Sequence, residues 1–409
     1  MMFADLHLHS PYSRAVSKDM TLEVLSRKAK EKGLHMLGTG DFSHPAWFAN
    51  LKSKLRGDDG VYEYNGTKFV LSNEIALIYT QDGKGRRIHY ILLAPDFGAA
   101  EQINEFLRSR GRLDYDGRPM FGFTSVELVE RLMSISKDIE IIPAHAWTPW
   151  FSVFGSMSGF DSLKECFQEK VKYIHAIETG LSSSPAMNWR CSFLDNVTLL
   201  SNSDAHSPHP HRLGREANAL DIKGESYREL INAIRTRKVE YTLEVSPDYG
   251  KYHYDGHRDC NISMAPDETK KHNGICPKCK KPLTIGVLNR VEQLADREEF
   301  TLKGAPPFKG IIPLTEIIAL SVGQEVFTKK VFEQYHRLLG AFGNELTILL
   351  ETPEEELRKA VGERLAALII KNREGNIKII PGYDGVYGKP VIDDSGMNTM
   401  EKGTLKKFF

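Results

Sequence analysis

The 409-residue sequence has no net charge: 54 Lys plus Arg oppose 54 Asp plus Glu. That excludes a polycationic chain, so any surface for nucleic acid has to be a local patch on a neutral background. It has no long hydrophobic run. Leu365–Ile370 is among the longest and is far too short to cross a bilayer, so no membrane partner is expected. The opening Met-Met-Phe-Ala-Asp-Leu-His lacks the basic and apolar segments of a secretory signal. Cysteine is scarce, with five in all, which is no disulfide framework. A reducing cytoplasm is the expected setting. What is present is globular: 41% hydrophobic and 26% charged residues, in a chain long enough for two or three domains. Histidine is the uneven component, with five of fourteen before residue 90, several at the ends of apolar runs.

The first 240 residues alternate short apolar runs with helical stretches. The runs are Met2–Leu8, His35–Gly38, Lys68–Asn73, Ile88–Ala94, Ile139–Pro143, Tyr173–Ile177 and Val197–Ser201. Thr21–Lys32 has apolar residues at helical spacing and stops at Gly33, and Ser125–Ser134 repeats the pattern. Near-continuous apolar strands alternating with helices predict an α/β fold with a parallel sheet covered on both faces. About seven such units point to a (β/α) barrel, with an open doubly wound sheet as the alternative. The rhythm stops near 240. Residues 253–282 hold three Cys and three His, Ala305-Pro306-Pro307 reads as a linker, and the remainder is mostly helical. The expected units are therefore 1–240, a small zinc-binding module at 241–305 and a helical C-terminal domain at 306–409. In the last, Thr328–Phe342 is amphipathic, and Thr352-Pro353-Glu354-Glu355 opens a helix expected to run to about Lys371.

The runs share a kind of ending. They deliver His7-x-His9, then Asp41 with His44 three residues on, then Glu74, His89, His145, Glu178 and Asp204-x-His206. In a parallel barrel the C-terminal ends of the strands gather at one face, so these groups would converge. Side chains two apart on a strand point the same way, so His7 and His9 can hold one ion. Imidazole with carboxylate suits zinc, manganese or iron. A carboxylate such as Glu74 can bridge two ions and so build a two-metal centre for displacement at phosphorus. His35, His175 and His336 are read as ordinary polar residues.

A second constellation is local. His257 and Cys260 precede Cys276-Pro-Lys-Cys279, with fifteen residues between the pairs. Two pairs spaced this way match a closed tetrahedral structural zinc site. His253 and His272 compete with His257 for the fourth place. Lys270, Lys271, Lys278, Lys280 and Lys281 crowd the same segment, and no acid occurs between 269 and 291. Beside a zinc knuckle such lysines suit contact with a phosphate backbone. Cys166 and Cys191 stand alone and are expected to pack.

The ordered set His-x-His, Asp, Glu, His, His, Asp-x-His resembles the PHP superfamily of metal-dependent phosphoesterases, which implies a distorted seven-stranded barrel over 1–235. By that resemblance His7, His9, Glu74 and Asp204 hold one metal and form the catalytic set. Glu74, His89 and His145 hold a second, and Asp41 and His206 contribute to a third. Two departures touch the third site: Phe42 follows Asp41, displacing His44, and Tyr12-Ser13-Arg14 stands where many members carry an acid. Two or three divalent ions (Zn, Mn, Mg or Fe) are expected there, besides the structural Zn.

A narrower resemblance spans nearly the whole chain. Tyr12–Met20, Gly38-Thr-Gly-Asp-Phe42, Glu178-Thr-Gly-Leu-Ser-Ser183, Met187-Asn-Trp-Arg190, Ser201–His206, Leu213–Asn218 and Pro381–Gly388 look like the endonuclease Q family of prokaryotic DNA-repair enzymes. This implies cleavage of DNA 5′ to deaminated bases (uracil, hypoxanthine, xanthine) and abasic sites. The competing functions are a small-molecule phosphatase or 3′ exonuclease on the same barrel, and a non-catalytic DNA-binding scaffold. Damaged DNA is the expected partner, a sliding clamp a candidate one, and a monomer the expected state. Reading such a base requires flipping it into a walled pocket. Trp147, Trp150 and Phe151 follow His145 directly and are candidates for that wall, with Met187–Arg190 a second candidate stretch. Arg14, Lys18, Arg212 and Arg215 adjoin ligand motifs and, with Lys278 and Lys280, are candidates for the DNA backbone.

Overall fold

The computed structural model describes residues 1–392. The strand and helix order begins β1 (Met2–Asp5), α1 (Leu22–Lys32), β2 (Met36–Gly38), α2 (Pro45–Lys54), β3 (Tyr62–Tyr64), β4 (Thr67–Gln81) and β5 (Lys84–Ala94). It continues α3 (Phe97–Arg110), β6 (Met120–Phe121), α4 (Ser125–Ile135), β7 (Glu140–Pro143), α5 (Leu163–Phe167), β8 (Ala176–Glu178), α6 (Pro185–Asn188) and β9 (Thr198–Leu200). Then come β10 (Ala217–Leu220), α7 (Tyr227–Arg235) and β11 (Val239–Glu244). α1 forms where its spacing predicts: Thr21 caps the Val24 amide, and Gly33 ends it in the left-handed region.

A ten-stranded sheet runs β14-β11-β10-β1-β2-β4-β5-β7 with β3 and β6 alongside β4, where β14 is Phe308–Gly310. β8 and β9 form a separate parallel pair. The sheet is mixed, not parallel as expected. β1–β2 and β2–β4 are parallel, but β4–β5, β5–β7 and β1–β10 are antiparallel. The reason is the Asp82–Gly83 turn, with both residues at positive φ, which closes a long β4–β5 hairpin. The apolar run Ile88–Ala94 is thus a returning arm. Alternate residues of the strands form one apolar interior. Ala4, Leu6, Met36, Val70, Ile91, Ile142, Ala176 and Leu200 meet there, and α7 packs against them.

The boundary expected at 240/241 falls inside β11, and the expected linker leads into β14, which pairs with β11 in parallel. Between them lie β12 (Asp255–His257), β13 (Ile262–Met264), α8 (Pro266–Lys271) and α9 (Val287–Leu294). The C-terminal region is helical: α10 (Leu314–Val322), α11 (Lys329–Phe342), α12 (Glu345–Leu350), α13 (Glu354–Val361) and α14 (Glu363–Arg373), then β15 (Lys378–Ile380) and β16 (Lys389–Val391). The single helix expected from 353 to 371 is two. Gly362, at φ 80 and ψ 172, breaks it, and Thr352 caps nothing because its hydroxyl bonds the Thr347 carbonyl. Lys32 joins this region to the sheet: buried, it donates to Glu345 at 2.8 Å and to the Pro210 carbonyl at 2.7 Å.

Candidate metal centre and its cavity

His7 and His9 lie just past the end of β1, where an isolated parallel bridge joins Leu8 to Ala205. That bridge sets Asp204 and His206 beside the two histidines. β2 ends equally close, because a Cβ at Gly40 would sit 2.3 Å from the Leu8 carbonyl. Asp41, His145 and Asp204 all have positive φ, a conformation side-chain-bearing residues adopt at a cost. Among the described residues two groups of candidate ligands assemble here. His7, His9, Glu74 and Asp204 form one, and Glu74, His89 and His145 the other, with ligand atoms within 4.8 Å of one another in each. Glu74 belongs to both.

The partners behind the imidazoles decide how they face. His7 Nδ1 stands 3.1 Å from both Glu178 oxygens, and His9 Nδ1 is 3.2 Å from Asp41. A carboxylate only accepts, so each Nδ1 carries a proton, and each Nε2 is turned toward Glu74 and Asp204, with His9 Nε2 3.1 Å from Asp204. His7 Nε2 is buried without a hydrogen bond, 3.5 Å from Asp204 and 3.7 Å from Glu74. A buried ring nitrogen left without a hydrogen bond among carboxylates fits a divalent cation. The acids crowd strongly. Burial alone would raise Glu74, yet His89, Arg118 and His7 hold it well below the usual range. Burial alone would lower His9, yet Asp41, Asp204 and Glu74 push it up to about 9. His89 goes the other way, pulled down to about 4 by burial against the pull of Glu74.

Asp41, His44 and His206 stand outside both groups. Asp41 is consumed from behind: Ser10 donates twice at 2.6 Å, Ser13 at 2.8 Å, and His9 faces it. That sets Asp41 behind His9, with Oδ2 taken by Ser10 and Ser13 and Oδ1 facing His9 Nδ1. His44 opens α2 and stacks on Tyr12 at 4.4 Å. His206 turns Nδ1 to the Asp204 carbonyl, with its ring 4.5 Å from that of His9.

A cavity of about 590 Å³ opens on this cluster. Trp150 and Phe151 line it, as does Arg212. Trp147 does not. It is 1% exposed and bonds Asn188 from within the core, so its apolar body serves packing. Arg215 lines the cavity but is buried, and it donates from Nε and Nη2 to the Ser203 carbonyl. Trp189 of the second candidate stretch is buried too. Arg14 is exposed beside Asp116, Lys18 bonds the Pro11 carbonyl, and Lys278 and Lys280 are exposed on the knuckle.

Sequence reasoning missed Arg118, whose Nη1 lies 3.1 Å from Glu74, and the cavity residues Lys251, Tyr252 and Tyr387. It noted Glu178 without giving it a part. No local pattern marks the others, which arrive on loops remote in sequence.

The knuckle forms a third group. His257, Cys260, Cys276 and Cys279 bring their ligand atoms within 4.8 Å, with His257 3.9 Å from the Cys279 sulfur. His253 is elsewhere, between Ser182 and Asp248, and His272 ends α8. The cysteine set fits zinc.

The chain superposes on the lesion-specific endonuclease PfuEndoQ of Pyrococcus furiosus with a TM-score of 0.85 and 34% identity, over 96% of this chain and 95% of that one. This protein belongs to the endonuclease Q family. Endonuclease Q crystallised with a 27-mer duplex carrying an abasic lesion at its active site matches with a TM-score of 0.86 and 34% identity, over 96% of each chain. An uncharacterized protein of Methanocaldococcus jannaschii, MJ0043, is 36% identical over 60% of this chain. The chain spans only 31% of that relative's length. The family profile of the MJ0043 C-terminal domain matches residues 313–376, which cover α10 to α14. Relative to other endonuclease Q chains, the likeness thus includes the knuckle and the helical region as well as the sheet.

Proposed function

We propose that this endonuclease Q family protein is a metal-dependent DNA endonuclease that cuts 5′ to deaminated bases and abasic sites, using a PHP-type barrel. The observation that carries the reading is Glu74 shared between two ligand groups, of which His89, His145 and Asp204 line one cavity. His7, His9, Glu74 and Asp204 would hold one ion, and Glu74, His89 and His145 a second. Bound there, such ions supply a water nucleophile at neutral pH and neutralise charge on a phosphoryl oxygen. The chain's own part is orientation. Glu178 fixes His7 and the His145 amide, and Asp41 fixes His9, so both Nε2 atoms are turned toward Glu74 and Asp204.

The cavity suits a flipped base: Trp150 and Phe151 give apolar wall, and Arg212 gives positive charge at its edge. His257, Cys260, Cys276 and Cys279 would hold a structural zinc, with Lys278 and Lys280 beside the backbone of the duplex. Cleavage of uracil-, hypoxanthine- and abasic-containing oligonucleotides by the metal-loaded protein is the test. Cutting on the 5′ side that disappears in Asp204→Ala is the expected result. Intact oligonucleotides alongside hydrolysed phosphate monoesters would favour a small-molecule phosphatase instead.

A further inference from the structure

Arg118 stands at the metal centre without belonging to either ligand group. β6 pairs in parallel with β4, with Met120 opposite Ala76. Two residues back along both chains, Arg118 falls beside Glu74 on the same face. The loop that carries it is fixed from both sides. Asp116 accepts the amides of Arg14 and Arg118, Gly117 donates to the Tyr12 carbonyl, and the Pro119 carbonyl accepts the Ala76 amide. A Cβ at Gly117 would sit 2.3 Å from Asp41 Oδ2 and from Ser13 Oγ, so a glycine lets the loop close this far. The guanidinium arrives with Nη1 3.1 Å from Glu74 Oε2, the oxygen that also faces His7 and His9. Among the described residues its one side-chain hydrogen bond is to Glu74, which leaves most of a guanidinium's donors unused. The side chain is still 27% exposed, so a substrate can reach it.

A fixed cation is an odd neighbour for ion sites. Like charges a few ångström apart repel, so Arg118 weakens any ion held by Glu74. Glu74 already faces His89 at 2.7 Å and His145 at 3.4 Å through Oε1. The residues expected to serve a third ion stand outside both ligand groups: Asp41 has Oδ2 taken by Ser10 and Ser13, His44 stacks on Tyr12, and His206 turns Nδ1 to the Asp204 carbonyl. We propose that Arg118 takes the part of a third cation, its guanidinium meeting a non-bridging oxygen of the phosphoryl group and neutralising the charge that grows there. It keeps its protons throughout, because Glu74, and after it Asp204 and Asp116, hold it charged against burial. It therefore serves as charge and hydrogen-bond donor, not as an acid. The proposal rests on the phosphodiester cleavage proposed above and is independent of which lesion is cut.

The experiment compares the full chain as wild type, Arg118→Met and Arg118→Lys, with melting temperature recorded for each. Arg118→Gln replaces the Met variant if that one melts early. Titration with Mn2+, which thiolates bind poorly, counts the ions of the cavity cluster and gives their affinity. Binding of inorganic phosphate to the loaded protein and kcat/KM on an abasic oligonucleotide complete the set. The expected result is two Mn2+ equivalents in every chain. Arg118→Met should hold them at least as tightly as the wild type, yet bind phosphate at least tenfold more weakly and cut at least a hundredfold more slowly. Arg118→Lys, which keeps the charge, should recover at least tenfold of that loss. Mn2+ binding weakened tenfold or more in Arg118→Met would overturn the proposal and make Arg118 a support for Glu74. A third cavity equivalent in the wild type, or phosphate affinity within threefold of it in Arg118→Met, would overturn it too. A wild type that cuts no oligonucleotide would defeat the endonuclease reading, while the Mn2+ and phosphate results would still decide the part of Arg118.

Discussion

Two candidate metal sites in one chain are built in opposite ways. The knuckle takes four ligands from a segment of 23 residues, His257 to Cys279, and surrounds them with a small apolar cluster that includes Met264, Cys276 and Leu283. The cavity cluster takes six ligands from five separate stretches between His7 and Asp204: two of them, Glu74 and His89, stand mid-strand in β4 and β5, and the others follow strands or a buried carboxylate. A site with little core beneath it depends on its ion for its shape, because binding energy there is folding energy. A site set among buried strands and carboxylates is shaped before any ion arrives.

That contrast can be broken most sharply by activity. His7→Ala should reduce cleavage by about 10³-fold or more, because one group loses a member and the shared Glu74 loses its neighbour. A variant that melts like the wild type but keeps its activity would separate the cluster from the chemistry. The next largest effect concerns the knuckle. Cys276→Ser with Cys279→Ser, or chelation, should abolish amide-exchange protection over 255–285 while protection in β1, β2 and β4 persists. Structural zinc contributes on the order of 10 kcal/mol in small domains, so uniform protection after chelation would show that the two sites do not differ in kind.

Asp41→Ala tests the orienting role. It should weaken metal binding by about 10- to 100-fold without removing a ligand, which titration of the apoprotein would reveal. A loss of one whole equivalent would make Asp41 a ligand after all. The smallest effect is acid sensitivity outside both sites. Burial, then the charges of Arg212, His209 and Lys32, hold His211 down at about 3. Its folded pKa is depressed, so its contribution is present above about 6.5 and is lost as the pH falls below that value. Between pH 7 and pH 5 this group should cost about 2 kcal/mol of stability. His211→Gln should flatten that slope in denaturant titrations, and an unchanged slope would place the sensitivity elsewhere.

Much of the candidate site was readable because strand ends are local events. His7-x-His9 and Asp204-x-His206 each follow the end of a strand, and the parallel Leu8–Ala205 bridge brings them together, whereas Glu74 and His89 stand mid-strand in β4 and β5, where no run ending marks them. The same logic failed for β5, since a two-residue turn reverses the chain without altering the apolar pattern that precedes it. Asp41 was readable as a carboxylate at the rim, but its bonds to Ser10, Ser13 and His9 were not. Its chemistry is the same in either case, and only the hydroxyls of Ser10 and Ser13 show that its oxygens are occupied.

The sequence by itself determined the ligand chemistry, the knuckle and the alternation of strands with helices, because residue type and spacing are properties of the chain. Tertiary structure alone decided which histidine completes the knuckle, why Trp147 lies in the core while Trp150 faces the cavity, and how Arg118 and Tyr387 reach the centre. Those outcomes depend on which distant loops share a boundary. Contacts of that kind come from packing the whole chain, and no spacing along it encodes them.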